Sequence, residues 1–129
     1  MRGLCAISAA GLAACAATGA DVSRDAGLSP YRGIETRLLD DDLVNVGVTM
    51  APGAAPAEAA GYARCAAAQY TLIRGYAFLR HVRTTTAEDR DALRADAIYT
   101  ISPALPAGSQ TIDAEVTVAD CARSGIPTV

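Results

Sequence analysis

The 129-residue sequence has no lysine and no tryptophan, one phenylalanine and one histidine. Each shortage removes a class of answer. Without lysine there is no Schiff-base amine, no phosphate-loop lysine and no Ser-Lys pair. His81 is the single imidazole, so an acid–base or nucleophilic mechanism must use it or manage without one. The hydrophobic fraction of 51% is largely alanine, with Phe78 the one large apolar aromatic, so the core is expected to be thin. No long apolar run is present either. The best, Gly3 to Ala17, is about fifteen residues where a spanning helix needs ~20. All 11 bases are arginine and face 14 acids, for a net charge of −3. A mildly acidic chain with scattered arginines carries no footprint for nucleic acid and no polybasic patch for anionic lipid.

What is present begins with an address. Arg2, the weak apolar stretch Leu4 to Leu12 and the small pair Ala13-Ala14 have the layout of an export leader. Leu12-Ala13-Ala14-Cys15 matches a bacterial lipobox, in which the Cys thiol is acylated, with palmitate-type chains, and the chain is cut just before it. The expected organisation is a lipoprotein signal peptide over 1–14, a flexible tether over 15–30 and one α+β domain over 31–129. Each buried methylene contributes about 0.8 kcal/mol, so two or three acyl chains on Cys15 would hold the protein stably at a membrane. The alternative is an ordinary secretory leader cut after Ala20. Ala16 rather than Asp follows the lipidated position, which favours the outer membrane, with the domain in the periplasm.

Past the tether, Glu35–Leu39 and Leu43–Met50 read as a hairpin across Asp40-Asp41-Asp42. Val44, Val46, Val48 and Met50 alternate with polar or small residues. Calcium loops space their ligands differently, so the aspartates read as a turn, not a metal site. Pro56–Arg74 has helical composition and a stripe at Tyr62, Cys65, Ala66, Gln69, Leu72, Ile73 and Tyr76, with Gly75 as the left-handed cap. Ala77–Thr86, Arg94–Ser102 and Thr111–Val118 read as strands. The expected fold is a small antiparallel sheet with one main helix on one face, in the order strand, strand, helix, strand, strand, strand.

With Cys5 leaving in the leader and Cys15 lipidated, Cys65 and Cys121 remain. A pair in an oxidising compartment is expected to form a disulfide. Arg80, His81 and Arg83, with Arg64 and Arg74, are a candidate cationic patch for a carboxylate or a polysaccharide; the alternative is a solvated face paired with Glu88, Asp89 and Asp91. A hydrolase built on His81 would draw on Ser102, Ser109 or Ser124, none of which sits in a nucleophile elbow. The five tyrosines, 31, 62, 70, 76 and 99, are groove candidates or core-edge residues.

The lipobox, a hairpin over Ile34 to Met50, and an Ala-rich helix that carries Cys65 and ends in Gly75-Tyr76 together resemble small uncharacterised proteobacterial envelope lipoproteins. The resemblance covers the leader and Tyr31 to Arg83. It implies the architecture and lipid anchoring, and assigns no catalytic residues. The expectation is a non-enzymatic interaction or accessory module, needing no cofactor or metal, held to the membrane by its N-terminal lipid and meeting an envelope protein. The alternatives are a small-ligand or glycan-binding domain, or a hydrolase using His81.

Overall fold

A computed structural model of the protein describes residues 29–108 and 110–129. The leader, Cys5, Cys15, most of the tether and Ser109 lie outside the described residues. The elements run β1 Tyr31–Asp40, β2 Leu43–Met50, α1 Pro56–Ile73, β3 Phe78–Glu88, β4 Leu93–Ser102, β5 Thr111–Asp113 and α2 Ala114–Arg123. The strands form one sheet in the order β1-β2-β4-β3-β5, and every neighbouring pair is antiparallel.

Both long hairpins are closed by aspartates. Between β1 and β2 the turn is Asp41-Asp42, and the Asp41 amide donates to Asp40 Oδ1 at 2.8 Å. Between β3 and β4, Asp89 Oδ1 accepts from the amides of Asp91 at 2.8 Å and Ala92 at 2.9 Å, while Arg94 pairs with Oδ2 at 2.8 Å. Asx-type turns of this kind are why Asp concentrates at hairpin tips.

The core lies between α1 and one face of the sheet. Alternation on β2 turns Val44, Val46, Val48 and Met50 inward, and on β4 it does the same for Leu93, Ala95, Ala97, Tyr99 and Ile101. Nine of the twenty buried apolar residues are alanine, which lets the helix backbone lie close over the sheet. One position of the expected helix stripe is displaced. Ile73 is 61% exposed, and Thr71 is buried in its stead, its hydroxyl donating to the Ala67 carbonyl at 2.7 Å. An internal bond of that kind makes a buried threonine affordable.

The expected strand Thr111–Val118 is corrected. Only Thr111–Asp113 is extended, and Ala114–Arg123 is a second helix. Asp113 caps it by accepting from the Val116 amide at 3.0 Å. The alternation at 112, 114, 116 and 118 was accidental. The buried set is Ala114, Thr117 and Cys121, with Val118 partly buried, which is helical spacing. The order therefore ends in a short strand and a helix, and the fold is α+β with two helices and a five-stranded antiparallel sheet. Cys65 of α1 and Cys121 of α2 form a disulfide with Cα atoms 6.0 Å apart, so the second helix is bolted to the first. No helix among the described residues is long and apolar enough to cross a membrane.

Candidate functional site

Strand β3 decides where the candidate residues go, and it does so through a bulge. Its pairing with β4 runs His81 to Tyr99 and then Arg83 to Ile98, leaving Val82 as the extra residue. In an unbroken strand, residues three apart point to opposite faces; one inserted residue puts them on the same face. His81 and Thr84 thus share the helix-covered face, and Nε2 of His81 lies 2.7 Å from Thr84 Oγ1. The His81 ring also meets the Tyr99 ring edge-on, with centroids 5.2 Å apart. Arg80 and Arg83 pair with Thr100 and Ile98, on the opposite face. The triplet Arg80, His81, Arg83 is consequently divided between two faces and does not form one patch.

On the helix side, His81 lines a cleft of about 660 Å³ together with Arg64, Thr84, Tyr99 and Thr111. Its floor is supplied by small residues of α1, Ala57, Ala60 and Gly61, and its remaining wall by Gln110 and Ile112. Burial pushes the Tyr99 phenol up to about 12, against a weaker opposite pull from the positive charge of Arg64. That pull places Arg64 within electrostatic reach of the phenol. Thr111 pairs with Arg80 across β5 and β3, so its side chain turns to the helix-free face, where its Oγ1, like Arg80 Nε, is buried with no hydrogen-bond partner among the described residues. Of the residues now in the cleft, Arg64, His81 and Tyr99 were candidates from sequence. Thr84 and Thr111 were not, because a bulge and a three-residue edge strand leave no mark in a hydrophobicity pattern.

The other face of the sheet carries no helix. Across it run three rows of side chains: Gly33, Thr49, Arg94 and Ala87; Glu35, Gly47, Asp96 and Thr85; Arg37, Asn45, Ile98 and Arg83. Gly47, at the centre, leaves a hollow of about 650 Å³ between Glu35 and Asp96, with Arg94 and Arg37 on its borders. Asn45 donates to the Asp96 carboxylate and fixes it in place.

A third hollow adjoins the Asp40-Asp41-Asp42 turn and is bordered by Arg80, Tyr76 and Ser102. Arg80 Nη2 donates to the Ala107 carbonyl at 2.9 Å, so the guanidinium pins the 103–108 loop. Among the described residues no three His, Cys, Asp or Glu side chains are grouped to hold a metal. Of the serines weighed with His81, Ser102 donates to the Ala104 carbonyl at 2.6 Å and Ser124 is the C-cap of α2. Neither lines the His81 cleft.

Residues 31–125 match the model of a family described as the YNQ4 C-terminal domain. The matched stretch begins with the first residue of β1 and ends with Gly125, which closes α2. A relative from Paracoccus denitrificans, described as an uncharacterized 26.9 kDa protein in the nqo8 5' region, is 29% identical over 87 residues, or 67% of this chain. The alignment spans 34% of that relative's length. No solved structure matches the chain.

Proposed function

The chain belongs to the YNQ4 C-terminal domain family, and on that premise we propose that it is a non-enzymatic, lipid-anchored envelope module that docks a protein partner on its uncovered sheet face. One observation carries the reading: both helices lie away from a face that combines a central glycine, two acids and three arginines in ordered rows. A surface poor in bulky side chains and rich in alternating charge suits specific, reversible protein contact, because charge pattern sets register and partner choice. The lipobox at Leu12–Cys15 supplies the anchor in this reading. The disulfide supports an oxidising compartment, where such bonds persist. His81 is held by Thr84 and Tyr99 and serves as part of the wall of a cleft.

Two measurements test it. Intact-mass analysis of the membrane fraction should show a diacylated or triacylated wild type and an unlipidated, released Cys15→Ser. Equal, unlipidated masses would end the anchor. A photo-crosslinking residue at Thr49, on the open face, should give a discrete adduct in cells that a probe at the exposed Ala119 of α2 does not; identical patterns would remove the docking face.

A second reading, a domain binding a small ligand or glycan, is favoured by the cleft between α1 and the β3–β5 edge.

A further inference from the structure

Strand β1 lies at one end of the sheet, and among the described residues it pairs with β2 alone. Every second residue along it therefore turns its backbone N–H and C=O away from the sheet, a template for another strand. At the opposite end β5 runs along only Phe78–Arg80 of β3, and the rest of that edge is bent by the bulge at Val82. Strand β1 has register shifts too, between Tyr31 and Gly33 and between Leu38 and Asp40, but Gly33–Leu38 is regular between them. No proline interrupts it. Ile34, Thr36 and Leu38 stand on the helix-covered side, opposite Val48, Val46 and Val44, while Glu35 and Arg37 stand on the uncovered side, opposite Gly47 and Asn45. Glu35 and Arg37 are exposed and make no ion pair among the described residues. Leu38 and Leu39 are exposed apolar side chains on the same open edge.

The regular segment is complementary to itself when run antiparallel. With two copies centred on Thr36, Thr36 meets Thr36, Glu35 meets Arg37 and Ile34 meets Leu38, and the two-fold axis repeats the last two pairs. Facing positions differ by an even number, so their backbone groups point the same way and the ladder can close. Opposite charges, paired hydroxyls and paired apolar side chains are each favourable when directly opposite. The neighbouring centres fail: Glu35 would face Glu35 in one and Arg37 would face Arg37 in the other. We infer that two copies of this chain pair antiparallel through the outer edge of β1, with the two-fold axis at Thr36, and join their sheets into one. The interface is isologous, so a single strand supplies both halves of each charge pair. A ladder this short buries less than the ~800 Å² per partner of a standard interface, which makes the dimer weak and reversible. The edge is a different surface from the uncovered face, so the pairing goes beyond the docking reading and stands or falls separately.

The test is sedimentation velocity of the full chain, disulfide intact, over a concentration series, with amide NMR on the same samples. The expected result is a monomer–dimer equilibrium with a Kd of about 10 μM to 1 mM, and concentration-dependent amide shifts centred on residues 34–38. Glu35→Arg and Arg37→Glu should each weaken association roughly tenfold or more, because like charges then stand opposite each other twice. Combining the two reversals should bring association back close to wild type, a rescue that damage to the fold would not give. Arg83→Glu, a charge reversal at an exposed position of β3, should leave association unchanged. Four results would each overturn the pairing: a wild type that stays monomeric up to about 1 mM, single reversals that associate as well as wild type, a double reversal no better than the singles, or Arg83→Glu as damaging as they are.

Discussion

Tyr99 shows how much a single side chain reports about its surroundings. Only 3% of it is exposed, and burial lifts its phenol from the ordinary 10.0 to about 12. Below pH 10 the phenol is protonated in both folded and unfolded chains, so its contribution to stability is intact. Between pH 10 and about 12 the unfolded phenol ionises first and the native state loses up to about 3 kcal/mol. Chemical denaturation at pH 9 and pH 11.5 should show that loss, and Tyr99→Phe should retain only the part due to Tyr62, which is also raised, by burial and then by Tyr31. At this scale the sequence was partly legible. Cys65 and Cys121 could be paired by elimination among four cysteines, because covalent chemistry leaves few options. Arg80, His81 and Arg83 could not be sorted onto faces, because the extra residue at Val82 looks like any other β-branched strand residue.

Elements were legible where local chemistry and long-range packing agree. Both helices end in the same device: the Tyr76 amide bonds the Thr71 carbonyl at 3.0 Å and the Gly75 amide that of Leu72 at 2.9 Å, and Ile126 and Gly125 repeat the pattern on Cys121 and Ala122. Each glycine has positive φ, 82° at Gly75 and 69° at Gly125. This is the Schellman arrangement, with an apolar residue following the glycine. Gly75 was readable because a strong helical stripe ran up to it. Gly125 was not, because Ile112 and three apolar residues of α2 happened to alternate; the Asp113 cap and the Ser124-Gly125 stop were the signals that should have outweighed them. Replacing Gly125 by Ala should cost about 1 kcal/mol in a urea titration, since L-residues resist that conformation. The β3–β4 turn makes a separate prediction. The amide of Asp91, then that of Ala92, and then Arg94 hold the Asp89 carboxyl below its ordinary 3.8. The turn is therefore secured above that value and loosens as pH falls through the lower folded value. Asp89→Ala should raise amide exchange at Asp91 and Ala92 at neutral pH.

For the whole molecule, the thin core and the disulfide belong together. Alanine-rich contacts bury little area per residue, and α2 meets the rest of the fold mainly through α1. The bridge closes a sequence separation of 56 residues, for which chain entropy gives about 4 kcal/mol. Reduction, or Cys65→Ala with Cys121→Ala, should lower stability by roughly that much. Hydrogen exchange should rise first in α2. The same bridge sets a path for mechanical load. If the domain is pulled from the N-terminal side of β1 and from its C-terminus, tension enters at Tyr31, passes β1, β2 and the first half of α1, and crosses at Cys65 directly to Cys121. Strands β3, β4 and β5 lie in the bypassed loop and carry no tension while the bond is intact. At about 3.5 Å per residue, roughly 200 Å of contour stays hidden until a reductant opens the shunt. The cysteine pair thus acts as a strain relief for the half of the sheet that walls the cleft.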